Sequence, residues 1–248
     1  MNQKNILLNL LGLIILLLAW SWGAKLLSYS IPLAKLLSPI PTFQHLYMLL
    51  SENLLSEHIL ASLIRVIVSL VFALAIGIPI GLLIGRYQTL EMTSSGAFQL
   101  LRMISPLSWM PIVIMIFGIG NSPIFFLLTF AAIWPIILST ISGVKGIDPQ
   151  WLQLGKSLSA TRMEMLKYII FPAIFSAILS GLRLAIGVVW IILVPCEMLG
   201  VNEGLGYFIL DTRDRLAYSE LMAGILLIGI IGWTLDSIAR SLQRHYPR

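Results

Sequence analysis

The sequence predicts an all-α membrane protein of about six transmembrane helices, and three observations carry that expectation. The chain of 248 residues is 58% hydrophobic and only 11% charged, whereas a soluble domain has about a quarter of its residues charged. Its apolar residues are gathered into stretches of about 20, the length that crosses the hydrocarbon core as a helix. Its basic residues fall mainly in alternate connections, as the positive-inside rule requires. The net charge of +5 belongs to those connections. No basic stripe interleaved with aromatics points to nucleic acid, so lipid is the expected surroundings. Cys196 is the one cysteine, which excludes an internal disulfide or a cysteine-based metal cluster.

The expected spans are Ile6–Leu27, Ile59–Ile84, Phe98–Phe117, Ile124–Val144, Tyr168–Val194 and Leu221–Ala239. Lys4 ahead of the first run also fits a signal peptide, but the run exceeds a typical signal core and the later spans need a membrane in any case. Residues 1–58 therefore read as a first helix with an external segment, 59–241 as the core, and 242–248 as a cytoplasmic tail. In the external segment Pro32, Pro39 and Pro41 predict an extended stretch, then a short helix over Thr42–Ser51 with Thr42 as N-cap. In the second span Gly77, Gly81 and Gly85 recur every four residues and offer one face for close helix approach. Packing within the chain is the favoured use of that face, and Pro79 should kink the span.

Lys4, Arg86, Lys145, Lys156, Arg162, Lys167, Arg240, Arg244 and Arg248 fall on one side; Lys25, Lys35, Arg213 and Arg215 fall on the other. Glu52, Glu57, Glu203, Asp211, Asp214 and Glu220 join the second side. Both termini are therefore expected in the cytoplasm.

The connection from Lys145 to Pro172 does not read as a loop. Asp148-Pro149 is a helix start, with an N-cap side chain followed by proline at the first helical position. Trp151, Leu152, Leu154 and Leu158 then recur at near-helical spacing. Thr161 and Glu164 form a capping-box pattern for a second start. The reading is a helix, a tight turn around Ser159-Ala160, and a second helix leading into the fifth span. Such a pair either docks on a partner or lies on the headgroups.

Gln153 to Pro172 resembles the cytoplasmic signature of ABC importer permeases: Glu-Ala-Ala, three residues, Gly, then Pro about thirteen residues later. Here the frame holds Gln153, Leu154, Gly155, then Ser159 and Pro172. The spacing is kept while all four leading residue types differ. Leu158, Ala160, Thr161 and Arg162 are similar to the run that follows. Leu101-Arg102 with Pro106, Trp109 and Pro111 resembles the nitrate/sulfonate/bicarbonate permease subfamily. So do Trp134-Pro135-Ile136, Gly181-Leu182-Arg183 and Gly204 to Phe208. The resemblance implies the fold of a type I importer permease and a homodimer joined to two cytoplasmic ATPase subunits and an external substrate-binding protein. It implies that Gln153, Gly155, Lys156, Ser159, Ala160, Thr161, Arg162 and Glu164 couple to the ATPase. ATP and Mg would be bound by that subunit, since this chain has no Gly-x-x-x-x-Gly-Lys-[Ser/Thr] phosphate loop. No cofactor, metal or catalytic residue is expected in the chain itself.

Charges inside spans usually face protein or water. Arg102 and Arg183 offer either an anion route or structural bonds to helix carbonyls. Arg65 sits near enough the outer surface to snorkel. Glu197 gates, pairs with a basic residue or is simply interfacial. Ser105, Ser108, Trp109 and Trp190, with Arg102, Arg183 and Glu197, are the candidates for a translocation path. The outer connection Val201–Glu220, with Asp211, Arg213, Asp214 and Arg215, either meets the binding protein or is a solvated loop.

A membrane-embedded enzyme would need converging His, Asp or Glu, and His45, His58 and His245 all lie outside the spans. An ion-coupled secondary transporter remains the rival, although no internal repeat supports it. The subfamily's substrates include nitrate, bicarbonate, taurine and alkanesulfonates, and the pattern leans slightly towards nitrate or bicarbonate.

Overall fold

The computed structural model describes residues 3–245, and every regular element among them is helical. Arg248 lies outside the described residues, as do the side chains of Lys4 and Arg244. We number the helices α1 (Gln3–Ser30), α2 (Pro39–Ser51), α3 (Ser56–Arg86), α4 (Gln88–Met103), α5 (Met110–Phe117), α6 (Asn121–Lys145), α7 (Pro149–Ser157), α8 (Arg162–Glu197), α9 (Leu205–Asp214) and α10 (Tyr218–His245). Five of them are long and apolar enough to cross a membrane, and a sixth crossing is available if the bent pair α4–α5 is one span.

The centre is the trio α3, α6 and α8. Its packing explains the glycine spacing of α3. A Cβ on Gly77 would lie 2.9 Å from Ile136 Cγ2, one on Gly81 2.6 Å from Thr140 Cβ, and one on Gly85 2.9 Å from Val144 Cβ. Each step of four along α3 is matched by a step of four along α6, so the two helices run parallel. On the other side of α6, Gly143 meets Ile174 and Ala177, while Gly181 meets Ser139; α8 is therefore antiparallel to α6. In turn, α10 is antiparallel to α8. The Trp190 indole N–H donates to the Ile228 carbonyl (3.1 Å), Arg183 pairs with Asp236 (2.9 Å), and Gln243 donates to Ser180 (2.8 Å).

Parallel α3 and α6 have a topological consequence: the chain between them must return to the end where α3 began. That return is made by α4 and α5, which meet at an angle of 84°. The expected continuous span Phe98–Phe117 is thus corrected to a broken one. Ile104 and Ser105 are extended, a 3₁₀ turn fills Pro106–Trp109, and Pro111 sits in the first turn of α5. A residue before proline is pushed out of the helical region, and Ser105 is that residue.

Other expectations change as well. Helix α2 starts at Pro39, not at Thr42, because prolines are tolerated in a first turn where N–H groups have no intrahelical partner. Thr42 is fully buried, its hydroxyl donating to the Ser38 carbonyl at 2.9 Å. The stretch before α2 is a 3₁₀ helix, Pro32–Leu37, and not an extended segment. The supposed loop Val201–Glu220 contains α9, which packs under Gly224 of α10 through Phe208. Helix α3 runs through Pro79 unbroken.

Helix α1 has no buried residue over Leu11–Ser30. It is tied to the rest where the Trp20 indole N–H donates to the Leu37 carbonyl (2.9 Å). Ser219 at the start of α10 donates to the Leu36 carbonyl (2.9 Å), which places the end of α1 beside the start of α10. The start of α1 and the end of α10 therefore share the face that carries α7 and the start of α8.

Candidate functional site

At that shared face the helix pair forms as its capping residues dictate. The Asp148 carboxylate accepts the Gln150 amide (2.9 Å), and Pro149 occupies the first turn. Helix α7 ends with the Ser159 amide donating to the Lys156 carbonyl and the Ala160 amide to the Gly155 carbonyl, both at 3.0 Å. This double closure is a Schellman motif, whose residue after the cap is left-handed, and Ser159 has φ 55°. The glycine of the resembled signature falls at this position for a steric reason. A Cβ in the left-handed region costs roughly 1–2 kcal/mol. Ser159→Gly is expected to raise the protection of the Ala160 and Thr161 amides in hydrogen exchange severalfold, by up to about 1 kcal/mol. Unchanged protection would count against strain at Ser159.

The second start is closed as expected. The Glu164 amide donates to the Thr161 hydroxyl (3.3 Å), and the Glu164 carboxylate accepts from the Thr161 amide and hydroxyl (both 2.8 Å). Helix α8 has 36 residues, about 54 Å, far more than the hydrocarbon thickness of about 30 Å; the charges of Arg162, Glu164 and Lys167 mark its first turns as the part outside that layer. There the backbone and side-chain bonds from Thr161 hold the Glu164 carboxyl below its ordinary pKa. The cap's contribution is thus present above the unfolded-state pKa and lost as pH falls through the folded one.

Helix α7 crosses α8 closely at Gly155, where a Cβ would lie 2.6 Å from Ile169 Cδ1 and 2.9 Å from Met165 Sδ. The crossing falls on a π-type stretch, Met165–Ile170, directly ahead of Pro172. Proline cannot close the α turn behind it, and such wider turns relieve that mismatch. Of the residues expected to couple, Gly155 is buried and Ala160 half-buried. Gln153, Lys156, Ser159, Thr161, Arg162 and Glu164 are exposed. Leu158 and Met163 beside the turn are 73% and 70% exposed, which leaves an apolar tip standing off the bundle.

At the opposite face lies a buried polar cluster. Arg65 is 3% exposed and Glu197 fully buried, with the guanidinium Nη1 2.6 Å from Glu197 Oε1. Arg65 also donates to Asn121 Oδ1 and to the Glu203 carbonyl, both at 2.8 Å. The Glu197 carboxylate accepts from the Ser62 hydroxyl (2.8 and 2.9 Å) and the Gly206 amide (2.9 Å). The Leu205 amide donates to Ser62 (2.8 Å) and the Gly204 amide to His58 Nδ1 (3.1 Å). The cluster joins the starts of α3 and α6 and the end of α8 to the turn that starts α9. Arg65 is therefore corrected from a snorkelling residue to an ion-paired one: burial without a counter-charge is costly, and Glu197 supplies it. Of the readings of Glu197, the structure shows pairing. Ser62, Asn121 and His58 escaped the sequence reading, because nothing local marks a short polar residue as the partner of a distant charge.

The candidate path residues do not converge within one chain. Arg183 is paired with Asp236, which also bonds Arg240, and Trp190 is packed under α10 against Gly232. Arg102, Ser105 and Ser108 are exposed around the break between α4 and α5. Arg102 lines a small cavity of about 170 Å³ with Gln99 and Trp134. The indole N–H groups of Trp109 and Trp134 are buried without a hydrogen-bond partner. Glu91 at the rim of that cavity is bonded to Lys145 at 2.6 Å.

Residues 77–248 match the family described as binding-protein-dependent transport system inner membrane component. The taurine transport system permease protein TauC of Escherichia coli is 34% identical over 188 residues, 76% of this chain and 68% of that protein. The bicarbonate transport system permease protein CmpB of Synechococcus elongatus is 34% identical over 187 residues, 75% and 67% respectively. Among solved structures, a chain of the MetNI methionine ABC transporter in an inward-facing conformation has a TM-score of 0.64 at 19% identity. It covers 75% of this chain and 93% of that one, a likeness of fold.

Proposed function

The chain belongs to the family of binding-protein-dependent transport system inner membrane components, and on that premise we propose that it passes a small anion, of the nitrate, bicarbonate or sulfonate kind, through a homodimer. As an ABC importer permease component it is a multi-pass inner-membrane protein without a catalytic site, working with an ATPase and a substrate-binding protein. The anion reading rests on the two relatives above; their equal identity leaves the choice between carboxylate-like and sulfonate-like anions to the binding protein. ATP and Mg are assigned to the ATPase subunits, two per homodimer. The permease core is placed at residues 59–241, and the face with α7 and both termini is placed in the cytoplasm, because its connections carry Arg86, Lys145, Lys156, Arg162 and Lys167.

The observation that carries the coupling role is the capped, turn-tipped pair α7–α8. Its second helix is continuous with a membrane span that ends in the outer polar cluster. A push on the tip, with Gln153, Gly155, Lys156, Ser159, Ala160, Thr161, Arg162 and Glu164 around it, is thereby delivered to the whole length of α8. ATP binding and hydrolysis in the partner then bias two arrangements of the bundle by their differential contacts with the tip. Arg102, Ser105, Ser108, Trp109, Arg183, Trp190 and Glu197 remain the candidates for a path, with the broken α4–α5 segment supplying its unpaired donors. The secondary-transporter alternative has no observation in its favour.

The test is co-purification of the tagged chain with its ATPase, followed by ATP hydrolysis and uptake in lipid vesicles. Arg162→Glu and Ser159→Trp are expected to leave the folded chain in the membrane and to reduce stimulated hydrolysis at least tenfold, a loss of about 1.4 kcal/mol of productive coupling. Full stimulation in both variants, or uptake driven by an ion gradient without nucleotide, would remove the coupling role.

A further inference from the structure

The cytoplasmic end of the bundle holds a second groove, about 780 Å³, between the end of α3, the end of α6 and the α7–α8 pair. Its walls are apolar, formed by Leu82, Val144, Leu166 and Ile170 among others. Its mouth carries three cations from three separate helices, Arg86, Lys156 and Arg162. All three are exposed, none is paired with a carboxylate among the described residues, and no Asp or Glu lines the groove. The groove climbs along α3 from Arg86 to Pro79, seven residues or about 10 Å of helix rise. It therefore reaches from headgroup level into the hydrocarbon layer.

We infer that this groove binds one anionic phospholipid of the cytoplasmic leaflet, its phosphate among Arg86, Lys156 and Arg162 and an acyl chain along α3. The charge and the shape select that occupant together. A phosphate matches donors converging from three helices, and basic residues at this depth attract anionic headgroups. The apolar extension above them is at a level where hydrocarbon is the available filler. A soluble partner docked at the tip of the helix pair satisfies the cations but leaves the climb towards Pro79 empty. The lipid would bridge α3 to the helix pair, so the anionic lipid content of the membrane becomes an input to coupling. This rests on the orientation proposed above, and Arg86, on α3, lies outside the residues assigned there to ATPase contact.

The experiment is native mass spectrometry of the full-length permease, alone and with its ATPase, after exchange into detergent with phosphatidylglycerol or phosphatidylcholine. Phosphatidylglycerol is expected to be retained and phosphatidylcholine not, with glycerol phosphate failing to compete because it has no chain. Arg86→Ala should weaken retention about fivefold and Arg86→Glu about thirtyfold, taking one unit of charge per step near the surface. Leu82→Trp, which fills the groove, should abolish it, and Lys25→Ala at the opposite face should not change it. Equal retention by wild type and Arg86→Glu overturns the inference. So does loss of lipid whenever the ATPase is bound, which makes the groove part of the protein interface. Cys196 is buried, so labelling of Arg86→Cys in intact cells reports the orientation separately. Label entering from the cytoplasm, with no lipid retained, defeats the lipid site alone; label entering from outside defeats both.

Discussion

Arg65→Met is expected to destabilise the protein by about 3–5 kcal/mol, the cost of leaving a buried carboxylate without its partner. Glu197 is fully buried and has Arg65 as its one ion-pair partner among the described residues. Ser62 and the Gly206 amide bond the same carboxylate, but neither neutralises it. Glu197→Met should cost as much, since it strands the guanidinium instead. The double variant Arg65→Met/Glu197→Met is the informative one. Replacing both members of a buried pair by apolar groups is often nearly neutral, so it should recover a large part of either single loss. Recovery will be incomplete, because Asn121, Ser62 and the Gly206 amide lose partners as well. Thermal unfolding of the purified chain in one detergent gives the four corners of the cycle. Strictly additive losses would show that the pair is not coupled and would sink this account of the buried polar cluster.

Gly81→Leu is expected to prevent stable assembly of the bundle. Even a Cβ at this position would lie 2.6 Å from Thr140 Cβ and 3.0 Å from the Ile137 carbonyl oxygen. The second of these is backbone and cannot rotate away. Overpacking a tight interface costs about 1–3 kcal/mol when neighbours can yield and more when they cannot. Here α3 would have to move off α6 along the whole row that includes Gly77 and Gly85, so the loss should exceed that range. Gly96→Leu is the control, since nothing lies within 4 Å of a Cβ there and leucine favours the helix over glycine. Size-exclusion profiles and proteolysis of membranes distinguish the two variants. A Gly81→Leu chain as monodisperse and protease-resistant as wild type would mean that α3 and α6 are not packed as described.

The sequence alone determined whatever depends on a residue and its near neighbours. The apolar runs of α3, α6, α8 and α10 announce spans, Asp148-Pro149 and Thr161–Glu164 announce helix starts, and the four-residue glycine spacing announces a close helix face. Each is a pattern in hydropathy, capping chemistry or steric bulk that acts over one or two turns. The tip of the helix pair was legible for the same reason, including the turn at Ser159. What only the tertiary structure decided is the partnering across the chain. Arg65 meets Glu197 132 residues away, and the glycines of α3 meet Ile136, Thr140 and Val144 in a parallel arrangement. That arrangement in turn makes the bent α4–α5 segment the return path. These follow from which helices pack together, and a membrane helix does not encode its neighbour locally. Lipid satisfies its apolar surface as well as another helix does, and the choice is made by close approach of small residues and by the need of each buried charge to find its opposite.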